Sequence, residues 1–268
     1  MLEIYKDEAV KSRLLHGVPH GIILYGPDGR ERENLVNDIV QLTDSDVYRV
    51  DTPSMVNMRQ VMVDAEMLIR PRLYIIENGA KMNAMVQNAF LKSLEEPPDN
   101  AYYCIFSYDE LGMLRTVRAR LVEWKISRAS RDELSQYTLD DTLLSICLTP
   151  QEVITALSSD YEKLDALTDV LVGKLERASL SSVLAIKGRV NKDQYEWLFR
   201  LLMYKYRKRV GELVGADKVL QLIAHHHYLY IHTEIYADRL VETMFIRIWT
   251  GLRNGFETIS DPVGWWSL

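Results

Sequence analysis

Residues 82–98 read MNAMVQNAFLKSLEEPP, and the reading of the whole chain turns on them. The first twelve or so form an amphipathic helical pattern over 83–94. Pro97 and Pro98 end it, because proline cannot donate to a helical ladder and restricts the residue before it. Working outward, short apolar runs flank this helix. Leu73–Ile76 lies before it, and Tyr102–Phe106 and Val122–Ile126 lie after it. Further upstream are Ile22–Tyr25 and Val47–Val50. The segments between carry apolar residues at helical spacing, at Leu35, Val36, Ile39 and Val40, then at Val56, Val61, Met62, Ala65 and Leu68. Strand and helix in alternation over 20–126 predict a parallel sheet with helices on its faces.

After Ile126 the strand signals stop. Ser130–Tyr137, Asp140–Cys147 and Pro150–Leu157 read as short helices, with Ser130 and Thr149 as N-caps and Pro150 at a first helical position. Longer helical patterns follow at Tyr161–Arg177, Leu180–Gly188, Lys192–Leu213, Ala216–His232 and Ile235–Leu252. The last third therefore reads as a helical bundle. The fold class is α/β followed by all-α.

The 268 residues are 47% hydrophobic and 26% charged, a soluble globular balance. No run approaches the ~20 consecutive apolar residues of a membrane span. No basic start followed by an apolar stretch opens the chain, so a cytoplasmic location is expected. The formal net charge of −6 argues against gripping nucleic acid alone by phosphate neutralisation. Cys104 and Cys147 lie far apart with no CxxC, so neither a zinc ribbon nor a disulfide framework is indicated, and no metal is expected.

The wording of residues 82–98 says more than its periodicity. It resembles the signature helix of clamp-loader AAA+ subunits, N-A-L-L-K-x-L-E-E-P-P. Asn88-Ala89, Leu91-Lys92 and Leu94-Glu95-Glu96-Pro97-Pro98 match, and Phe90 replaces a leucine. The resemblance implies a RecA-like AAA+ module over 1–126, a small helical lid over 127–160 and a helical collar over 161–268. It also aligns the neighbouring segments. Leu73–Met82, LYIIENGAKM, resembles the family's Walker B strand followed by D-E-A-D. Glu77 then stands for the metal-binding Asp and Asn78 for the Glu that polarises water. An Asn cannot act as a general base. Leu114–Leu121, LRTVRARL, resembles the segment bearing the family's arginine finger, and Arg120 falls on the finger. Such an arginine acts in trans on the nucleotide of a neighbouring subunit. Ser107 and Tyr108 fall in the sensor-1 region. Glu152 falls at the sensor-2 arginine, with the charge inverted. Leu240-Val241-Glu242 is similar to a Leu-x-Glu pair of the collar.

The same alignment makes GIILYGPDGRERE, residues 21–33, a P-loop location. A working P-loop wraps phosphates in backbone N–H groups and adds a Lys charge and a hydroxyl for magnesium. Gly26 and Gly29 remain here. The closing Gly, Lys and Ser or Thr are replaced by Glu31, Arg32 and Glu33. Two carboxylates ~4–5 Å from a triphosphate would cost several kcal/mol at an effective dielectric near 20. Arg32, expected to pair with a flanking glutamate, is not interchangeable with Lys. No cofactor is therefore expected on this chain, with ATP and Mg belonging to neighbouring subunits.

This pattern is similar to that of the delta-prime subunit of DNA polymerase III, often ATPase-silent. The resemblance implies a non-enzymatic member of a hetero-oligomeric ring. Its partners would be other clamp-loader AAA+ subunits, a sliding clamp, and primer–template DNA reached through the complex, with no membrane. The chain is short for a cellular member, which suggests a divergent replication system, such as a viral one. An active ATPase with a variant P-loop and an AAA+ scaffold outside replication are the competing readings.

Three smaller signals complete the sequence. His225-His226-His227 cannot converge on one ion, since consecutive helical residues point ~100° apart. Lys205-Tyr206-Arg207-Lys208-Arg209 reads as a solvated basic face, with a DNA or acidic partner as the alternative. Trp265-Trp266 is equally suited to packing and to partner binding.

Overall fold

The computed structural model describes residues 14, 16–27, 30–108, 112–126, 128–233 and 235–256. Trp265-Trp266, Asp28 and Gly29 lie outside the described residues. The chain divides into two compact units. The first comprises the described residues up to Tyr137 together with Cys147–Val153 and Ile231–Thr233. The second comprises Thr138–Ile146, Ile154–Tyr230 and the described residues from Ile235 on.

The first unit is built on five parallel strands: β1 (Gly21–Tyr25), β2 (Asp46–Val50), β3 (Arg72–Ile76), β4 (Ala101–Ser107) and β5 (Val122–Lys125). Their order across the sheet is β2-β3-β4-β1-β5. Every pairing is parallel, with Ile22 opposite Cys104 and Val122, and Leu73 opposite Tyr102. The three inner strands are buried on both faces, which is why they appear as continuous apolar runs in the sequence. Alternate residues serve opposite cores. On one face Ile23, Tyr74, Ile76, Tyr103 and Ile105 pack with Met58, Val61, Val86, Phe90 and Leu94. On the other, Ile22, Leu24, Leu73, Ile75, Cys104 and Phe106 pack with Leu35, Val36 and Ile39.

Those packed residues belong to α1 (Arg30–Thr43), α2 (Met55–Ala65) and α3 (Ala84–Glu95). Helix α1 thus covers one face, and α2 and α3 cover the other. Helix α3 is the signature segment. Asn83 caps it, accepting from the Val86 N–H at 3.0 Å. A short helix α4 (Arg115–Arg118) precedes β5, and α5 (Arg131–Ser135) follows it. Ser130 and Glu133 close a capping box on α5.

Helices α6 (Asp141–Ile146) and α7 (Pro150–Leu157) come next. Then follow α8 (Tyr161–Arg177), α9 (Leu180–Lys187), α10 (Tyr195–Arg207), α11 (Ala216–His232) and α12 (Ala237–Asn254). In the second unit Leu171, Val172, Phe199, Leu202, Val241, Met244, Phe245 and Ile248 are fully buried. Helix α12 is fastened to the end of α8 by polar contacts. The Trp249 indole donates to the Ala178 carbonyl at 2.8 Å, and Arg253 donates to the Leu175 carbonyl at 2.9 Å. These satisfy carbonyls that the end of a helix leaves without partners. Leu240 and Val241 are buried on α12.

The basic run differs from a solvated face. Lys205 is buried and pairs with Asp165 and Asp169 of α8, each at 2.7 Å. Arg209 pairs with Glu176 at 3.1 Å, and Lys208 with Asp141 at 3.2 Å. The physical reason is that an acidic stripe on α8 faces this end of α10. Local sequence carries no trace of that pairing.

Candidate functional site

In a parallel sheet all carboxyl ends lie along one edge, and open α/β sheets bind ligands outside that edge. Here the edge gathers Gly26 after β1, Val50 at the end of β2, Glu77-Asn78 after β3 and Ser107 at the end of β4. The start of α1 adds Arg32 and Glu33. The sequence candidates of the P-loop and Walker B positions are therefore brought to one edge. The side chain of Glu31 lies outside the described residues.

Gly26 is held tightly. Its φ is 132°, and a Cβ there would meet the Ile126 carbonyl oxygen at 2.6 Å. Its N–H donates to the Ser107 carbonyl at 3.2 Å. Glycine is required because both the backbone angle and the space exclude a side chain. The Arg32 guanidinium donates to the Gly26 carbonyl and lies 4.8 Å from the centre of the Phe106 ring. It is buried, drawn inward under the turn.

Glu33 is held by a residue the sequence reading passed over. Nη2 of Arg49, on β2, donates to both Glu33 carboxylate oxygens at 2.9 and 3.0 Å, while Nη1 donates to Glu77 at 2.8 Å. Burial works against the charge of Arg49, but the two carboxylates outweigh it and raise its pKa further. One guanidinium thus spans the two glutamates assigned to metal-ligand positions. Only alignment of β2 beside β3, with Arg49 opposite Ile75, makes this possible. The single detectable sequence signal was an arginine inside a short strand otherwise bounded by apolar residues.

Asn78 adopts the left-handed conformation, φ 52° and ψ 48°, at the entry to a 3₁₀ turn over Gly79–Lys81. Asn tolerates that region better than most residues, because its short amide bonds locally. Glu152 lies at the start of α7, where it accepts the Leu148 N–H at 2.6 Å while Thr149 accepts the Glu152 N–H at 3.2 Å. Its carboxylate is used to close a helix end.

Arg120 is placed elsewhere. It lies two residues before β5, whose first residue, Val122, pairs with Ile22 near the start of β1. Its carbonyl lies 3.8 Å from where a Cβ of Gly21 would be, at the first residue of β1. Arg120 therefore sits at the amino edge of the sheet. The five residue steps from Gly21 to Gly26 separate that edge from the turn by about 16 Å. Its guanidinium donates to the Thr116 carbonyl at 2.6 Å and pairs with Glu95 of the signature helix. Arg118 pairs instead with Glu123, through Nε at 2.9 Å and Nη2 at 3.0 Å.

A second residue missed from the sequence is Gln87. Its buried amide donates to the carbonyls of Met82 at 2.7 Å and Gly112 at 2.8 Å, and its oxygen accepts the Leu114 N–H at 2.6 Å. It ties the signature helix to the segment that leads to Arg120. A glutamine on a helix carries no sign of burial, so only the packing reveals it.

Residues 30–130 match the family described as DNA polymerase III, delta subunit. No curated protein sequence matches the chain. Among solved structures, a DNA polymerase III gamma subunit-related protein of Thermotoga maritima aligns with a TM-score of 0.50 and 17% identity. It covers 91% of this chain and 99% of that one. A RuvB A156S mutant of Thermotoga maritima aligns with a TM-score of 0.46 and 14% identity, over 88% of this chain and 82% of that one. At such identity the first likeness speaks to fold, and it extends through both units. Over residues 30–130 the chain is similar to the DNA polymerase III delta-subunit family, and its five-stranded parallel sheet followed by a helical second half shares the fold of the gamma subunit-related protein.

Proposed function

We propose that this chain is a non-hydrolysing subunit of a sliding-clamp loader, which supports assembly of an AAA+ ring and supplies Arg120 in trans to a neighbouring subunit's ATP. In this reading residues 1–126 form the AAA+ module, 127–160 the lid and 161–268 the collar. ATP and magnesium are bound by other subunits, and the partners are those subunits, the clamp and, through them, primer–template DNA, in the cytoplasm.

The observation that carries this reading is the position of Arg120. It lies at the edge of the sheet opposite Gly26, so it has no route to a ligand at its own carboxyl edge. A guanidinium placed there suits charge on a molecule held by another chain. Its partner within the chain, Glu95, is half-exposed, so the ion pair is weak enough to exchange for a phosphate. The chemistry at Glu33 and Asn78 supports silence, because it supplies neither a metal-binding hydroxyl nor a general base.

The experiment is ATPase activity of the reconstituted loader carrying Arg120→Ala. DNA- and clamp-stimulated turnover should fall by about 10²-fold or more, on the scale of other arginine fingers, with assembly unchanged. Unchanged turnover in an intact complex would remove the in-trans role. Micromolar ATP binding by the isolated chain in calorimetry would favour a variant P-loop that still works.

A further inference from the structure

Glu33 and Glu77 occupy the two positions at which the aligned P-loop and Walker B strand would hold a divalent cation, and Arg49 already lies between them. Two carboxylates brought together at one edge need a positive partner. Oxygen-rich sites ordinarily take Mg²⁺, Ca²⁺ or Mn²⁺ for that purpose. Here the partner is covalently part of the chain. Arg49 presents a planar fork whose two ends serve different carboxylates, a geometry a lysine could not reproduce.

We propose that Arg49 is a built-in counter-cation that takes the place of the metal ion, closing this edge to divalent cations and to the phosphates they would carry. The site is thus silent because it is occupied from within, as well as because ligands are missing. Three features argue for occupancy rather than a passing surface contact. Arg49 is delivered by a strand whose register with β3 is set by backbone hydrogen bonds, and the Glu77 N–H itself donates to the Val50 carbonyl at 2.9 Å. Both carboxylate oxygens of Glu33 accept from the same nitrogen, Nη2. Tethering gives it an effective concentration in the millimolar range or above, so a free cation must compete with it. Side-chain exposures of 38% for Arg49, 54% for Glu33 and 23% for Glu77 mean that water screens the bridge, so its contribution to folding is small. The consequence to measure is therefore exclusion of a metal, not melting temperature.

The inference rests on the alignment of residues 26–33 and 77–78 with a nucleotide site, and not on a place in any ring. The test is Mn²⁺ binding to the full-length chain by electron paramagnetic resonance, without nucleotide or partner subunits. Wild type should show no saturable site at millimolar Mn²⁺. Arg49→Met should gain one, and Arg49→Met combined with Glu77→Gln should lose it again. A wild-type site that depends on Glu77, or a folded Arg49→Met chain without a site, overturns the proposal. If Arg49→Met does not fold, Arg49→Lys provides the same reading, since one point charge cannot span both carboxylates; Mn²⁺ binding no different from wild type then overturns it. The clamp-loader reading is judged separately, by the Arg120→Ala turnover of the assembled complex.

Discussion

Single residues at the carboxyl edge of the sheet divide the labour between backbone and charge. Gly26 serves the backbone. Its positive φ and the Ile126 carbonyl behind it exclude any Cβ. Gly26→Ala should cost about 1–3 kcal/mol, the range for a residue forced into a sparsely populated conformation. The measurement is urea unfolding, with the midpoint lowered and the slope unchanged. Arg32, Glu33 and Glu77 serve the charge, and their partners explain why substitutions at P-loop positions have not left a repulsive cluster. Arg32 turns inward to the Gly26 carbonyl and the Phe106 ring, while Arg49 collects the two glutamates. Composition alone suggests Arg32 as the partner of its flanking glutamates. Glu33 finds its partner sixteen residues away because β2 lies close to the start of α1 in space, not in sequence.

At the scale of elements, α3 is held by more than its apolar stripe. Val86, Phe90 and Leu94 face the sheet, and Gln87 between them reaches three backbone groups outside its own ladder. Leu114, which opens α4 without a capping side chain, has its N–H satisfied by that amide. Gln87→Leu keeps the volume and strands two carbonyls and one N–H. A loss of roughly 2–4 kcal/mol is expected, given about 1–3 kcal/mol for each group left unsatisfied and partial rescue by relaxation. Urea unfolding measures it, and a change under 0.5 kcal/mol would mean that the amide is dispensable. Helix α10 makes a similar point about charge. Lys205 and Arg209 look like a basic surface in sequence, yet both are matched by acids of α8. A role for this run in nucleic-acid binding draws no support from such neutralised cations.

At the scale of the whole chain, acid sensitivity is built into the second unit. His226 is buried and donates to the Leu222 carbonyl at 2.7 Å. Burial, helped by the charges of His225 and Arg247, lowers its pKa from 6.5 to about 4, against the pull of that hydrogen bond. Burial would raise the Glu196 carboxyl, but His227 at 2.9 Å and Arg200 at 2.8 Å outweigh it and hold the group at about 2. Both folded values lie below the unfolded ones. Their stabilisation is therefore complete above the unfolded pKa and lost as pH falls through the folded one. Stability should start to decline below about pH 6.5 for His226 and below about 4.5 for Glu196. Urea midpoints from pH 7 to 3 should fall for wild type. His226→Gln should flatten the curve between pH 6.5 and 4, and a curve identical to wild type there would clear His226 of the effect.

Much of this protein was legible in its sequence. Apolar runs alternating with helical patterns mark the strands and their helices, most plainly the three inner strands, because strands buried on both faces must be apolar throughout. The ends of α3 and α5 were set by Asn83, Ser130 and the Pro97-Pro98 pair, whose effects are local. The wording of residues 82–98 pointed to the clamp-loader AAA+ fold, and residues 30–130 match the corresponding family. Tertiary structure alone decided which charges meet. Arg49 joins Glu33 to Glu77, Gln87 joins α3 to Leu114, and Lys205 joins α10 to α8. Backbone periodicity is a property of neighbours in the chain and is written there. An ion pair across strands or helices depends on strand order and helix packing, which no local pattern encodes.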